Sequence, residues 1–323
     1  MEITEKTQAS HKIELLARLI SSDASFLTLR EKILFHKFLL TDDEGKTFES
    51  EEDFAARLLS LTITSISLVV KRVFPRAKWN PSEALKKVRL SQRIMEVQGI
   101  KSTCCLDSDF PAMLREMKDP PFMLFYRGNL EILKRHCVSV VGTRRAFPEA
   151  LKAASDFSKA ACDDGFCVIS GLAFGIDAAS HKGALLSQNS ATCAVLPSGI
   201  DIITPHSHTR LAAKILEKDG LIISEYLPGT PSVQFRYVQR NRIVAALSPA
   251  TLVVQAQSGS GAMITADLAL GYNREVFFHQ ECFVREVPGK VGASEASSPR
   301  SFVEAGAKVI SCWQEFKREL YGE

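Results

Sequence analysis

The feature that most constrains the fold is an alternation of short apolar runs with segments of helical periodicity, beginning at Val138. The runs predict strands at 138–141, 166–170, 192–196, 221–224, 251–255 and 275–279. The segments between them predict helices at 150–162, 177–187, 207–218, 240–247 and 262–271. Continuous β-branched runs indicate strands covered on both faces. The pattern therefore predicts an α/β domain with a doubly wound, mostly parallel sheet.

Residues 1–100 have a different texture, because apolar residues recur at helical spacing and glycine is almost limited to Gly45 and Gly99. Ser50, followed by Asp53, predicts the start of a helix that runs through Leu59. The segment 81–83 predicts the start of another that runs to Ile94. We predict a small all-helical domain over 1–100 and the α/β domain over 101–323. The helical domain is either a DNA-binding module or a packing and dimerisation unit. The second interpretation is favoured because no glycine-hinged helical hairpin stands out.

Three further segments complete the pattern. The connector 104–130 is predicted to hold a short helix from 109 and a strand at 122–126. Because Gly, Ser and Pro are spread through 281–300, this segment is predicted to be a long loop. A final amphipathic helix is predicted at 313–320.

Composition sets few limits on function. The formal net charge of +3 neither demands nor excludes nucleic acid, so any basic surface must be local. The eight cysteines show no CxxC pair, and Cys137, Cys167 and Cys193 are predicted to be core residues of a protein in a reducing compartment. No signal peptide or membrane span is visible, so we predict a cytoplasmic protein that does not enter a membrane.

The stretch VSVVGTRR, at 138–145, predicts an anion site. A strand that delivers a glycine turn into a helix start leaves free backbone N–H groups, and the helix dipole favours negative charge there. Arg144 and Arg145 add full positive charge beside those groups. The alternative is an ordinary tight turn with solvent-facing arginines.

Other predicted strand ends carry similar residues. Glycines and hydroxyls follow the second strand, with Lys182 in the helix that comes next, and a serine–glycine turn follows the fifth strand. A basic cluster with an adjacent aromatic lies before that strand. Because parallel strands bring their carboxyl ends to one edge, these predict a positive groove with an aromatic face, which suits single-stranded nucleic acid. The residues are Ser170, Gly171, Gly175, Tyr237, Arg240, Asn241, Arg242, Ser260, Gly261 and Thr265.

Structural alternatives stand beside several of these assignments. Asp177 is equally suited to be a helix cap, and His181 is more typical of a packing histidine than of a base. Arg240 and Arg242 could pair with acidic residues such as Glu225. His206 and His208 alternate in a loop, but no third ligand accompanies them, so no metal is predicted.

Two functional hypotheses from different classes remain at this point. Standard signatures of nucleotide hydrolysis, dinucleotide binding, acyl transfer and zinc catalysis are missing from the sequence, which favours a binding protein that needs no cofactor. The second hypothesis is an enzyme that binds or hydrolyses nucleotides, with Asp177 or Glu225 as its acid or base.

Several motifs in the same order resemble the DNA-processing protein A family, also called DprA or Smf. They are DFPAML, DPPFMLFYRGN, VSVVGTRR, VISGLAFGIDAASH, TCAVLPSGID, LIISEY, RNRIVAALS and SGAMITADLA, spread over 109–310. The resemblance implies an extended Rossmann-like fold. It also implies binding of single-stranded DNA without strong sequence preference, dimerisation, and loading of the recombinase RecA during natural transformation.

The resemblance also implies roles for individual residues. The family's glycine-hydroxyl-arginine phosphate motif falls on 142–144, its second glycine turn on 170–175, its RNR cluster on 240–242 and its SG–TA turn on 260–265. The first motif comprises Gly142, Thr143 and Arg144. Departures include Ala146 and Phe147 after the first motif, Pro197 before Ser198, and Gln255 in place of a glutamate. The chain also ends too soon for the winged helix that many members carry. A third possibility is therefore a degenerate structural homologue that binds neither DNA nor nucleotides.

Overall fold

The computed structural model describes residues 2–285 and 298–322. The chain divides into two compact units. Unit 1 comprises Met1–Phe110, Asp119–Phe125 and Leu227–Gly229; unit 2 comprises Pro111–Lys118, Tyr126–Tyr226 and Thr230–Glu323. The domain boundary that we predict near residue 100 remains a proposal.

Unit 1 is mostly helical, as predicted. Its elements are α1 (Glu2–Asp23), α2 (Leu29–Leu39), α3 (Glu51–Ser60), α4 (Ile63–Val70), α5 (Pro81–Gln98) and the strand β1 (Lys101–Cys104). The hydroxyl of Ser50 accepts a hydrogen bond from the N–H of Asp53 and so caps α3. The apolar faces of the helices meet in a core that contains Leu16, Phe35 and Leu58.

The helix α4 is not predicted from the sequence, because its residues are largely β-branched and favour strands. Its first turn is fixed by Thr62, whose hydroxyl accepts a hydrogen bond from the N–H of Ser65 at 3.2 Å. The helix ends at Lys71, which adopts the left-handed conformation with φ 56°. Among the described helices none alone is long and apolar enough to cross a membrane; α3 and α4 pass that test only as a pair, bent by 94°.

The sheet supplies the frame of unit 2. The strands after β1 are β2 (Met123–Gly128), β3 (Cys137–Val141), β4 (Cys167–Ser170), β5 (Thr192–Val195), β6 (Leu221–Ser224), β7 (Ala250–Val253), β8 (Glu275–His279) and β9 (Lys308–Ile310). Within the described residues the strand order is β1-β2-β6-β5-β4-β3-β7-β8-β9. Every pair from β6 to β9 is parallel. The predicted parallel, doubly wound sheet is confirmed.

Helices fill the connections of unit 2. They are α6 (Ala112–Arg115), α7 (Pro148–Asp163), α8 (Ile176–Ala184), α9 (Thr209–Glu217), α10 (Gln234–Ala246), α11 (Gly261–Gly271), α12 (Glu281–Val284), α13 (Pro299–Glu304) and α14 (Trp313–Tyr321). The core includes Trp313, whose ring lies 4.7 Å from that of Phe166 and 5.3 Å from that of Phe157. Cys137, Cys167 and Cys193 are buried, as predicted.

Two segments differ from the sequence predictions. The helix predicted at 240–247 begins at Gln234, six residues earlier, so Tyr237 and Arg240 lie on one helix. The loop predicted at 281–300 starts with α12 and ends in α13, and residues 286–297 lie outside the described part of the chain. In both places polar or short segments carried too weak a periodicity to reveal the helix.

The strand order places a topological switch at β3. From β3 the chain builds the sheet outward through β4, β5 and β6 on one side, then returns to β7 on the other. In open parallel sheets such a reversal leaves a crevice outside the carboxyl ends of the strands, where ligands bind. The loops after β3, β4 and β7 therefore define the place to look for a site.

Candidate nucleic-acid interface

The loop after β3 presents two exposed arginines beside backbone amides. β3 is buried along its whole length and ends just before Gly142. The N–H of Thr143 donates to the carbonyl oxygen of Gln255 at 2.7 Å, which fastens this loop to the one that follows β7. The hydroxyl of Thr143 accepts from the N–H of Arg145 at 3.3 Å. The turn is thus fixed internally, while the side chains of Arg144 and Arg145 are exposed.

Two glycines let this loop and the loop after β4 meet through their backbones. A Cβ atom at Gly142 would collide with the side chain of Ile176, and one at Gly175 would overlap the carbonyl oxygen of Thr143. Gly175 also has φ +73°, a conformation that side chains disfavour. The N–H of Ile176 donates to Thr143 O at 3.3 Å. Glycine is therefore required at both positions for the loops to approach.

Asp177 holds the loop after β4 from the interior. Its carboxylate accepts hydrogen bonds from the N–H groups of Gly171 at 3.1 Å and Ala173 at 3.3 Å. Burial raises the pKa of the Asp177 carboxyl, and the positive charge of Arg240 opposes that increase. Leu172, between the two donors, is fully buried with φ 57°. The side chain of Asp177 therefore stabilises a strained turn.

A cleft of about 840 Å³ opens beside these loops. Four cationic side chains that line it are all exposed: Arg144, Arg145, Lys152 and Lys182. Lys152 also pairs with Asp156 on α7, but such exposed pairs contribute little. Phe174 adds an aromatic face that is 48% exposed, and its ring meets the ring of His208 edge-on at 4.8 Å. The cleft thus combines positive charge with an accessible ring.

The N-terminal half of α10 extends this surface. The guanidinium of Arg144 lies over the ring of Tyr237, 5.2 Å from its centroid. One residue earlier, the guanidinium of Arg236 lies 5.1 Å from the centroid of Tyr226. These contacts orient both arginines without neutralising them. Of the predicted site residues, the structure therefore brings Arg144, Arg145, Gly175, Lys182 and Tyr237 together.

Three other predicted site residues are used inside the protein. The hydroxyl of Ser170 donates to the carbonyl oxygen of Val140 at 2.7 Å, and Gly171 is buried. The side chain of Arg240 is buried, and its guanidinium donates to the carbonyl oxygens of Gly171 and Val195. Burial lowers the pKa of Arg240 from its usual value. We therefore correct the expectation of direct phosphate contact at these three positions: Ser170 joins β4 to β3, and Arg240 links Gly171 after β4 to the end of β5.

The predicted serine–glycine turn forms the start of α11. The hydroxyl of Thr265 donates to the carbonyl oxygen of Gly261 at 3.0 Å, which satisfies it within the helix. The amide nitrogen of Asn241 donates to the same oxygen at 3.2 Å. Ser260 is the N-cap residue and is 6% exposed, and its hydroxyl has no hydrogen-bond partner within the described residues. Of this group, Ser260 has a hydroxyl that is unpaired among the described residues, and that oxygen is buried.

Arg242 forms an ion pair with Glu225, which follows β6. Their side chains are only 16% and 14% exposed. The sequence offered, as a structural alternative, that Arg240 or Arg242 pairs with Glu225. The structure shows this pairing for Arg242. This pair contributes to packing at the carboxyl edge, and its net charge is zero.

His181 is a packing histidine. It is fully buried, and its Nδ1 lies 2.7 Å from the hydroxyl of Thr192. That hydroxyl donates its proton to the carbonyl oxygen of Val168, so Nδ1 carries the proton and donates to it. Burial, together with the charge of Arg240, lowers the pKa of His181 to about 3. The imidazole is neutral under ordinary conditions and does not reach the cleft.

A match to a known family gives this arrangement its context. The model of the family described as DNA recombination-mediator protein A matches residues 101–321. The chain belongs to the DNA recombination-mediator protein A family. The resemblance to DprA and Smf proteins drawn from the sequence motifs is confirmed.

Curated relatives carry both names of the family. DNA processing protein DprA of Streptococcus pneumoniae is 34% identical over 225 residues, which is 70% of this chain and 76% of the relative. Protein Smf of Synechocystis is 37% identical over 208 residues, 63% of this chain and 50% of the relative. The chain thus spans three quarters of one relative and half of the other.

Solved structures of family members share the fold. DprA from Streptococcus pneumoniae superimposes with a TM-score of 0.68 at 28% identity, covering 94% of this chain and 97% of that one. DNA processing protein A from Helicobacter pylori, whose structure was described for its single-stranded DNA binding mode, gives a TM-score of 0.57 at 27% identity. It covers 69% of this chain and 96% of that one. The predicted extended Rossmann-like fold is confirmed by these matches.

Among the charged and aromatic residues that line the cleft, three were not selected from the sequence: Lys152, Phe174 and His208. Phe174 stands inside the SGLAFGID motif, directly before Gly175, and its place in a glycine turn was a usable signal. Lys152 and His208 gave no such signal, because they reach the cleft only after α7 and the loop before α9 have folded. Within residues 2–285 and 298–322, no group of three or more His, Cys, Asp or Glu side chains could hold a metal ion.

Proposed function

We propose that the chain binds single-stranded DNA in the cleft beside β3 and acts in the cytoplasm as a recombination mediator. The observation that carries this proposal is the grouping of four exposed cations and one exposed ring around a single cleft. Phosphates would meet Arg144, Arg145, Lys152 and Lys182, while a base would stack on Phe174. The exposed side chains contact the phosphodiester backbone and base faces, so binding would depend little on sequence.

The free N–H groups at the start of α11 would add to this binding. Ser260 begins α11 without a side-chain cap. Anions bind at such helix starts because unpaired N–H groups and the helix dipole attract negative charge. At the start of α8, by contrast, the N–H groups of Ile176 and Ala178 already donate to the carbonyl oxygens of Thr143 and Ala173.

Binding is better supported than nucleotide hydrolysis. The two acids considered for hydrolysis are both engaged in structural contacts: Asp177 with two backbone N–H groups and Glu225 with Arg242. A general base must reach a proton of the substrate, and a buried carboxylate that holds a turn is poorly placed for this.

The family membership and the DNA-binding relative from Helicobacter pylori support the finer part of the proposal. In it, the chain acts as a homodimer that protects incoming single strands and loads RecA onto them during natural transformation. Sedimentation with and without an oligonucleotide would measure the dimer. RecA filament formation on strands coated with single-strand-binding protein would measure loading, and a chain that binds DNA without accelerating it is not a loader.

The substitution Arg144→Ala tests the cleft. Because Arg144 is exposed and contacts phosphate in the proposal, its loss should weaken binding about equally for all sequences. It should also lower the slope of log K against log salt concentration by about 1. Fluorescence anisotropy with two unrelated oligonucleotides at several salt concentrations measures both effects.

Lys134→Ala is a matched control, since Lys134 is an exposed cation of unit 2 that does not line the cleft. Equal affinities for Arg144→Ala, Lys134→Ala and the parent chain would exclude the cleft as the binding site.

A further inference from the structure

The positive charge of unit 1 is concentrated in one stretch. Residues 71–93 contain eight lysines and arginines and a single acidic residue, Glu83, whereas the whole chain has 40 basic and 37 acidic residues. The rest of the chain is therefore net acidic. The stretch comprises the connection that follows α4 and most of α5.

Most of these charges are exposed and unneutralised. Arg72 pairs with Glu31 and Lys87 with Asp23. The other six have no carboxylate within ion-pair distance among the described residues, and all are exposed. They are Lys71, Arg76, Lys78, Lys86, Arg89 and Arg93, and we name this set the basic surface. Like charges held together without partners repel one another, so a surface of this kind is typical of a site for a polyanion.

The helix α5 holds part of the basic surface in a fixed geometry. A different face of α5 is anchored in the core of unit 1 by Ala84, Val88 and Met95. Lys86, Arg89 and Arg93 follow one another at helical spacing, so they lie along one side of α5 over about 10 Å. Because the backbone that carries them is anchored, the three cations form a rigid row and not a flexible tail.

The surroundings of the basic surface favour a duplex over a single strand. Non-specific binding of single strands relies on accessible aromatic rings for base stacking. Phe74 and Trp79, the aromatic residues of 71–93, are partly buried: Arg72 covers the ring of Phe74 at 4.5 Å, and the indole N–H of Trp79 donates to Leu61 O at 3.0 Å. Duplex DNA needs only phosphate contacts and carries one charge per roughly 1.7 Å of its axis.

We propose that the basic surface of unit 1 binds the phosphate backbone of duplex DNA. This site is separate from the cleft of unit 2 and does not depend on the function proposed for that cleft. The chain would then recognise both components of a junction between a single strand and a duplex, each on a different unit. Contacts of this kind carry no sequence information, so the surface would bind duplexes of any sequence.

The test uses the full chain with Arg89→Gln and Arg93→Gln together. We expect the slope of log K against log salt concentration for a blunt 20-base-pair duplex to fall by about 2, since about 0.9 is lost for each phosphate contact. Affinity for a short single strand should stay at the parent value. The matched control is Arg30→Gln with Lys37→Gln, which removes the same charge from exposed positions on α2 in the same unit.

Each alternative outcome overturns the proposal in a recognisable way. Identical duplex binding by the two double variants would show that only net charge matters. An equal loss for single strands and duplexes would assign the surface to single strands. If vesicles containing anionic lipid, and not the duplex, bind the parent chain and lose binding in Arg89→Gln with Arg93→Gln, the surface belongs to a membrane. Arg144→Ala, measured beside these variants, reports separately on the cleft.

Discussion

Arg144 and Arg240 illustrate two regions at the same edge of the sheet. Arg144 is exposed on the cleft with its guanidinium over the ring of Tyr237, whereas Arg240 is 4% exposed and donates to two backbone carbonyls. The guanidinium of Arg144 is therefore accessible to a ligand, whereas that of Arg240 donates its hydrogen bonds inside the protein. The difference teaches that arginines from motifs of one family divide into those that are exposed to a ligand and those that hold the neighbouring loops in place.

The largest effect should come from the interior. Replacing Arg240 with methionine would remove the donor that it supplies to the carbonyl oxygens of Gly171 and Val195, and the larger of two positive charges that stabilise the Asp177 carboxylate. We expect the free energy of unfolding to fall by about 3 kcal/mol. Urea denaturation followed by circular dichroism measures it.

The exposed Arg145 provides the control for this comparison. Arg145→Met should change the free energy of unfolding by less than about 0.5 kcal/mol, as most surface substitutions do. If the two variants were equally stable, the assignment of Arg240 to a structural role would have to be abandoned.

A second test of the interior uses pH. The pKa of His181 is about 3 in the folded protein, below the 6.5 of a free imidazole, so between these values the unfolded chain binds one more proton. Stability should therefore be intact above pH 6.5 and fall as the pH decreases below it. The slope is at most about 1.4 kcal/mol per pH unit, giving a loss of about 2 kcal/mol by pH 5.

Melting temperatures of the parent chain and of His181→Gln, recorded from pH 7.5 to pH 5, measure this dependence. The variant has no imidazole at position 181 to protonate, so its stability should decline less over that range. Parallel curves for the two proteins would show that His181 does not carry the effect.

The smallest effect should appear at the cleft. Phe174→Ala removes the exposed ring, and we expect affinity for a single strand to fall by about 1 kcal/mol, roughly fivefold, at the lower end of measured stacking energies. The free energy of unfolding should change little, since half of the ring is already exposed. Fluorescence anisotropy and urea denaturation measure the two quantities.

Tyr321→Ala is the control, because Tyr321 lies on α14 in unit 2, is 40% exposed and does not line the cleft. Equal losses of affinity in the two variants would mean that bases stack elsewhere or on both rings.

The order of strands and helices could be predicted from the sequence because apolar runs fix it. β3, β6 and β8 coincide with the predicted strands to within one residue. The start of α10 could not be predicted, since Gln234–Tyr237 is mixed in polarity and no side chain caps the helix. The positions of most strands along the chain could be predicted from the sequence, but the contacts that form only in the folded protein could not.

The same distinction explains which residues of the candidate site could be predicted from the sequence. The exposed cations Arg144, Arg145 and Lys182 could be predicted because they follow strand ends. The sequence does not distinguish Arg240 from Arg242, or either from Arg144, since burial is decided by the distant residues that pack around each side chain. For Phe174 the usable signal was its place in a glycine turn, because its residue type alone is shared with core phenylalanines.

The backbone contact between the two loops, permitted by Gly142 and Gly175, has a consequence for how the protein tolerates change. A library of all substitutions should lose folded protein at these two positions, whereas Arg145 and Lys182, whose side chains project into solvent, should accept most replacements. The affinity of the cleft for a ligand could thus change through substitutions of exposed side chains, while the two glycines stay the same.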